Sequence, residues 1–344
     1  MKRLRILTLC TIVLSSLIFF YQQRKPTTIA YGEGLVIKKE WLTINKNPIT
    51  PKSDLRPGDQ TFLTFPEWYL VFSPQDQANY FKNKTATSFP FMSHTRQIWE
   101  SYRIVNNQIK GNFPTNNGYH FMIWVIGTSA TIEYGIKALY ETIIGRITDT
   151  NTPITDEDKF NAKFTKDYVS FIKDRPWYEF DFKIQLKNLW HESSFLGENF
   201  LRKIERKYIL TSELFVKWTY GKLIGLGTKQ VYEATLPTTT VVLQDNSIVE
   251  LPRYDKFNNA IIKLSKQGKS FKEIAGNNSA ILLTVLMPTI KSLNFDQSQT
   301  IFTQSIASDT KMKRIAVAIP VGRLNILLTQ LDKEKIEIEH IFDY

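Results

Sequence analysis

The run YHFMIWVIGTSATI, Tyr119–Ile132, decides what kind of chain this is. It carries no formal charge over 14 residues when His120 is neutral, and it then meets Glu133 and Lys137. At the rise of an α-helix it reaches about 21 Å, short of the ~30 Å hydrocarbon layer of a bilayer. A second stretch, 210–227, overlays on 119–145 with an offset of 80: Glu133, Lys137, Tyr140, Ile144 and Gly145 match Glu213, Lys217, Tyr220, Ile224 and Gly225. Glu before Lys at i, i+4 is the favourable orientation on a helix face.

Two readings of this pair stay open. In the first, both are core helices of a globular domain, because each ion at bilayer depth costs about 2.5 to 3.5 kcal/mol. In the second they are extra or re-entrant membrane helices, packed antiparallel so that Glu133 meets Lys217 and Glu213 meets Lys137. The basic cluster at 202–207 would then lie on the cytoplasmic side.

Working outward, Ile6–Tyr21 is an apolar run of 16 residues behind Lys2, Arg3 and Arg5 and ahead of Arg24 and Lys25. It spans about 24 Å as a helix, and snorkelling of Arg5 and Arg24 would close the gap to a full crossing. A retained anchor over 1–25 is expected, with a signal peptide cut after Thr28-Ile29-Ala30 as the alternative. Three basic residues before the run and two after it keep the short N-terminus cytoplasmic and put the bulk of the chain outside the inner membrane. Cys10 is the only cysteine and lies inside this run, so no intrachain disulfide or cysteine metal site exists.

A chain of 344 residues with 42% hydrophobic content can bury a sizeable core, with room for about two domains. The formal charge of +11 admits nucleic acid or an anionic membrane as partner. No RNA-binding signature, zinc finger or basic zipper is present, so a nucleic-acid partner is not expected. Arg202, Lys203, Arg206 and Lys207 alternate with Phe200, Leu201, Ile204 and Tyr208 at helical spacing. That pattern reads as an amphipathic helix touching anionic headgroups, or as a solvated face.

Residues 26–61 read as a linker with one or two strands, ending in the turn Arg56-Pro57-Gly58-Asp59. The region 62–235 reads as mainly helical and aromatic-rich. Pro66 suits the first turn of one short helix, and Ser73-Pro74-Gln75-Asp76 opens another toward Phe81. A third runs from Ser93 to Val105, and Thr155-Asp156-Glu157-Asp158 opens a helix with Phe160, Phe164, Tyr168, Phe171 and Ile172 on one face. From Leu236 the period changes to 2. Strands are expected over 239–243, 248–251, 281–287, 300–306, 314–321 and 336–344, with helices over 255–266 and 323–331. That order suggests a ferredoxin-like, split βαβ domain over 236–344, and the fold class is α+β.

No phosphate loop, nucleophile elbow or His-Glu-x-x-His helix occurs, and the four histidines share no metal-ligand spacing. No cofactor or metal is expected. Carboxylates lie among aromatics at Glu67, Glu179 and Asp181, where an apolar wall raises a carboxyl pKa and suits acid and base work on a glycan or lipid. The plainer reading has them capping helices or pairing with arginines. The runs Phe65-Pro-Glu-Trp-Tyr, Arg175-Pro-Trp-Tyr-Glu-Phe-Asp-Phe and Tyr119-His-Phe-Met-Ile-Trp-Val-Ile-Gly-Thr-Ser resemble segments of a family of bacterial membrane-anchored proteins. The resemblance implies an envelope location and carries no activity. The expectation is therefore a membrane-anchored envelope protein that binds or scaffolds, with the bilayer and an envelope protein as partners and an acid/base enzyme as the alternative.

Overall fold

The computed structural model describes residues 37–43, 47–58, 60–149, 154–194, 197–231, 238–293, 295 and 298–343. The expected anchor over 1–25 lies outside them. The fold is mixed α+β, with two antiparallel sheets.

A four-stranded sheet built from β4 (Ala280–Pro288), β5 (Gln299–Ser305), β6 (Met312–Pro320) and β7 (Glu337–Ile341) has the order β5-β6-β4-β7. Its two central strands are apolar on both faces, as a doubly covered sheet requires. Ile281, Leu283 and Val285 of β4 and Ile315, Val317 and Ile319 of β6 face one core. That core is closed by α7 (Asp255–Lys266) and α8 (Leu324–Lys333). The other face presents Ala280, Leu282, Ala316 and Ala318 to α1 (Gln60–Tyr80) and α2 (Phe91–Ile109). Small alanines there leave room for Phe62, Leu63, Phe65 and Phe72 of α1.

A second sheet, ordered β2-β1-β3, joins β1 (Thr238–Leu243), β2 (Ile248–Pro252) and β3 (Phe271–Ile274). Five of the six strands expected from the period-2 pattern recur within two residues at each end, the last stops at Ile341, β3 adds one that was not expected, and the strands divide between two sheets. Among the described residues between β4 and β5 there is no helix, where a split βαβ unit places its crossover, and β1, β2 and β3 form a separate sheet.

Three further expectations change. The two short helices at Pro66 and Pro74 are one helix, α1, with both prolines inside it. Each interior proline costs about 3 kcal/mol, and burial of the Phe62, Phe65, Tyr69 and Phe72 side chains against the sheet offsets it. The described part of the expected linker is packed: Ile37, Trp41 and Leu42 enter the core under α1. Farther along, buried Glu273 accepts the N–H groups of Ile49 and Thr50 at 2.9 Å. Finally, the core beneath α1 joins residues 62–113 to residues 280–342, so it crosses position 235.

The remaining helices are α3 (Asn117–Tyr140), α4 (Asp156–Ile172), α5 (Phe182–Glu192) and α6 (Phe200–Val231). A π turn, Glu141–Gly145, and a short helical tail, Arg146–Thr148, prolong α3. Helix α4 starts with a capping box between Thr155 and Asp158. Phe160, Phe164 and Tyr168 of α4 pack with Phe182 and Leu189 of α5 and Leu210 and Leu214 of α6. The aromatic segment 175–182 is folded onto this cluster, with Trp177 stacked on Tyr220 at 5.6 Å between ring centroids.

Candidate functional site

Glu67 sits where the helical layer meets both sheets. Its carboxylate accepts the Tyr119 hydroxyl. Burial raises its pKa, against the pull of the Tyr119 hydrogen bond and of Arg253, while nearby Asp343 adds to the rise. Arg253 Nε donates to Asp343 Oδ2 at 2.9 Å, a buried pair that joins the end of β2 to the C-terminal strand. Tyr254, the next residue, has φ 61° and ψ −136°, a backbone conformation that costs a side-chain-bearing residue about 1 to 3 kcal/mol. The ring of Trp68 stacks on His340 at 3.9 Å. Burial and the charge of Lys173 lower the His340 pKa to about 3, so the ring is neutral.

The other two nominated carboxylates are elsewhere and do different work. Asp181 is exposed and caps α5, accepting the N–H of Ile184 at 2.9 Å. Glu179 is exposed in the 3-10 turn Trp177–Glu179. Neither is among the charges that act on Glu67, whose carboxylate neighbour is Asp343.

The basic cluster is turned inward, which corrects the headgroup reading for three of its four members. Arg202, Arg206 and Lys207 are buried, and only Lys203 is half-exposed. Arg202 pairs with Asp149 and Asp158 at 3.3 Å, Arg206 pairs with Glu141 at 2.7 Å, and Glu205 lies against both guanidinium groups. Lys207 Nζ donates to the carbonyl of Ser193 at 2.5 Å. Residues at helical spacing gave the right helix but hid the acids, which arrive from the end of α3 and the start of α4.

Helices α3 and α6 meet along a seam of four charges. Lys137 Nζ lies 2.9 Å from Glu133 and 2.8 Å from Glu213. Lys217 Nζ lies 3.1 Å from Glu133 and 2.8 Å from Glu213. Each carboxylate therefore touches both ammonium groups, and the pairing of 133 with 217 and 137 with 213 makes the helices antiparallel.

A further cluster escaped the sequence reading. Ser73 Oγ lies 2.9 Å from His94 Nδ1, and His94 Nε2 lies 3.2 Å from Asp76 Oδ2. The Ser73 hydroxyl also bonds Tyr134 at 2.7 Å. Asp76 accepts the N–H groups of Ala307 and Ser308 at 2.8 and 2.7 Å, which fastens α1 to the turn after β5. Burial pushes the Asp76 carboxyl up, but His94 and the two loop residues outweigh it and hold it at about 2. All three residues of this Ser, His, Asp set are buried, so it serves as an internal tie. Its one trace in the sequence is Ser73 and Asp76 at i, i+3 on a helix.

Among the described residues, no group of three or more His, Cys, Asp or Glu side chains is arranged to hold a metal ion. Among the same residues, no helix is long and apolar enough to cross a membrane. Comparison of the chain with family models, with curated proteins and with solved structures finds no match.

Proposed function

We propose that this chain is a membrane-tethered protein of the bacterial envelope that acts by binding or scaffolding. The run Ile6–Tyr21 is its tether to the inner membrane, and the bulk of the chain faces the periplasm. The observation that carries the reading is the use made of the charged side chains. Arg202, Arg206, Arg253 and Asp76 each tie one element to another, and the carboxylates at 67, 179 and 181 do not form a pair. Such a framework suits a body that presents surfaces to partners, here the bilayer and an envelope protein. The inward turn of the densest basic cluster also speaks against a nucleic-acid partner.

A second reading rests on Glu67 alone. Its raised pKa, its tyrosine partner and the strained Tyr254 beside it are features that gather at acid/base sites, here for an envelope glycan or lipid. One experiment separates the two. In a deletion strain, full-length chain carrying Glu67→Gln, Glu179→Gln and Asp181→Asn should restore the envelope phenotype, and chain released from its tether by a cleavable signal should not. Failure of the folded triple variant would favour the enzyme. Carbonate extraction of the wild-type chain from membranes, or cytoplasmic accessibility of residues 150–200, would overturn the tethered periplasmic arrangement.

A further inference from the structure

Helices α3 and α6 expose an unusual amount of apolar surface. On α3 and its prolongation Phe121, Val125, Ile132, Ile136, Ile143 and Ile147 are exposed, at intervals of four and seven residues. On α6 Leu201, Ile204, Tyr208, Phe215, Leu223 and Leu226 form a second stripe, with Leu201 73% exposed. At 100° per residue, the α3 stripe lies about 110° and the α6 stripe about 155° round its helix from the four-charge seam, in the same rotational sense. Because the helices are antiparallel, both stripes open on the same side of the seam. Together they make an apolar face about 37 to 39 Å long and two helices wide, where surface apolar side chains of a soluble monomer are ordinarily scattered singly.

We infer that this face is seated in the surface of an anionic lipid bilayer, a proposal that rests on the tethered reading above. Three observations select lipid over a protein partner or a second copy. The first is charge. Among the described side chains of the two helices, Glu141 and Glu205 are buried and Glu133 and Glu213 belong to the seam, whereas the exposed ions are Arg146 and Lys222. The fully exposed ions of the two helices are therefore cations, and cations complement anionic headgroups. The second is shape: the two stripes splay by about 90°, so the face is convex. Two convex copies touch along a line, while a fluid layer follows the curve. The third is reach. Fifteen residues separate Tyr21 from Ile37, at most about 50 Å of extended chain, so the tether keeps this body within its own length of the membrane.

The acyl side of such a contact would take Ile136, Phe215 and Leu223, with the seam just behind it at headgroup depth. The test uses the full chain with Cys10→Ser and single cysteines at Ile136, Phe215 or Leu223, and at Ile326 on α8 as the control. Each is labelled with an environment-sensitive fluorophore and reconstituted into phosphatidylethanolamine and phosphatidylglycerol vesicles containing doxyl-labelled acyl chains. Lipid quenching should be several-fold stronger at the three face positions than at the control, and it should weaken when phosphatidylglycerol is replaced by phosphatidylcholine. Protein that floats with the vesicles but shows control-level quenching at all three positions overturns this inference and leaves the tether standing. Labels shielded from iodide yet untouched by the doxyl chains would mean that another protein surface covers the face, and that also overturns it. Protein that does not float at all overturns both proposals.

Discussion

Replacing Asp76 with asparagine removes one charge from the junction of α1, α2 and the turn after β5. The carboxylate accepts two backbone N–H groups and faces His94, at distances between 2.7 and 3.2 Å. A carboxyl held at about 2 rather than 3.8 corresponds to about 2 kcal/mol of preference for the folded state. Its folded pKa lies below its unfolded one, so this stabilisation is complete above about pH 4 and disappears as the pH falls toward 2. Asparagine lacks that dependence. Urea unfolding followed by tryptophan fluorescence should therefore show Asp76→Asn less stable by about 2 kcal/mol near neutral pH, with the gap closing steadily below about pH 4. Hydrogen exchange at the amides of Ala307 and Ser308 should quicken in the variant, because their acceptor loses its charge. A gap that stays constant down to about pH 2, or unchanged protection at both amides, would refute the assignment of Asp76 as the tie.

Lys137→Met should cost about 2 to 3 kcal/mol by leaving Glu133 and Glu213 with only Lys217 between them, and adding Glu213→Leu should recover most of it in thermal unfolding. Gly127→Ala sets a Cβ 2.8 Å from the ring of Trp99, which its bond to Thr131 prevents from retreating; a loss of about 1 kcal/mol is expected after the gain in helix propensity. Lys335→Gly should raise stability by about 1 kcal/mol. Lys335 follows α8 with φ 53°, and the bonds from its own N–H to Asp332 and from Ile336 to Leu331 form the helix stop that glycine favours. No change, or a loss, in the melting temperature of that variant would refute the assignment.

What the sequence made legible was local. Thr155 and Asp158 stand three residues apart, and that spacing alone specifies the reciprocal cap that starts α4. Alternation from Thr239 onward marks strands because a half-buried strand has period 2 whatever its neighbours are. Period says nothing of partners, however, so the division into two sheets stayed hidden. The same limit explains the basic cluster. Arg202 and Arg206 look like a cationic surface until Asp149, Asp158 and Glu141 arrive from other elements. Pro66 and Pro74 misled for a different reason: local propensity breaks α1 there, and burial against the sheet overrides it. The seam left a trace, Glu, Lys and Tyr recurring with an offset of 80. The Ser73, His94 and Asp76 tie left almost none, since its members come from two helices that the sequence does not align.

The two halves of the molecule are held by different forces, and Gly145 marks the point where the helical half depends on charge. A Cβ at this residue would lie 2.2 Å from the Glu141 carboxylate, so only glycine lets that carboxylate fold back over the π turn. From there it accepts Thr87 at 3.0 Å and Arg206 at 2.7 Å. Glu141 follows Glu133 and Lys137 at steps of four residues and so turns toward α6 with them, while Ile143 and Ile147 are exposed. Burying an arginine and a carboxylate stabilises a fold only if each is paired and bonded, and here Arg206 holds Glu141 and Glu205 while Thr87 donates to Glu141. In the sheet half β4 and β6 are covered on both sides by apolar side chains, and the ion pairs of Arg253 with Asp343 and of Arg314 with Glu339 add to that core rather than replace it.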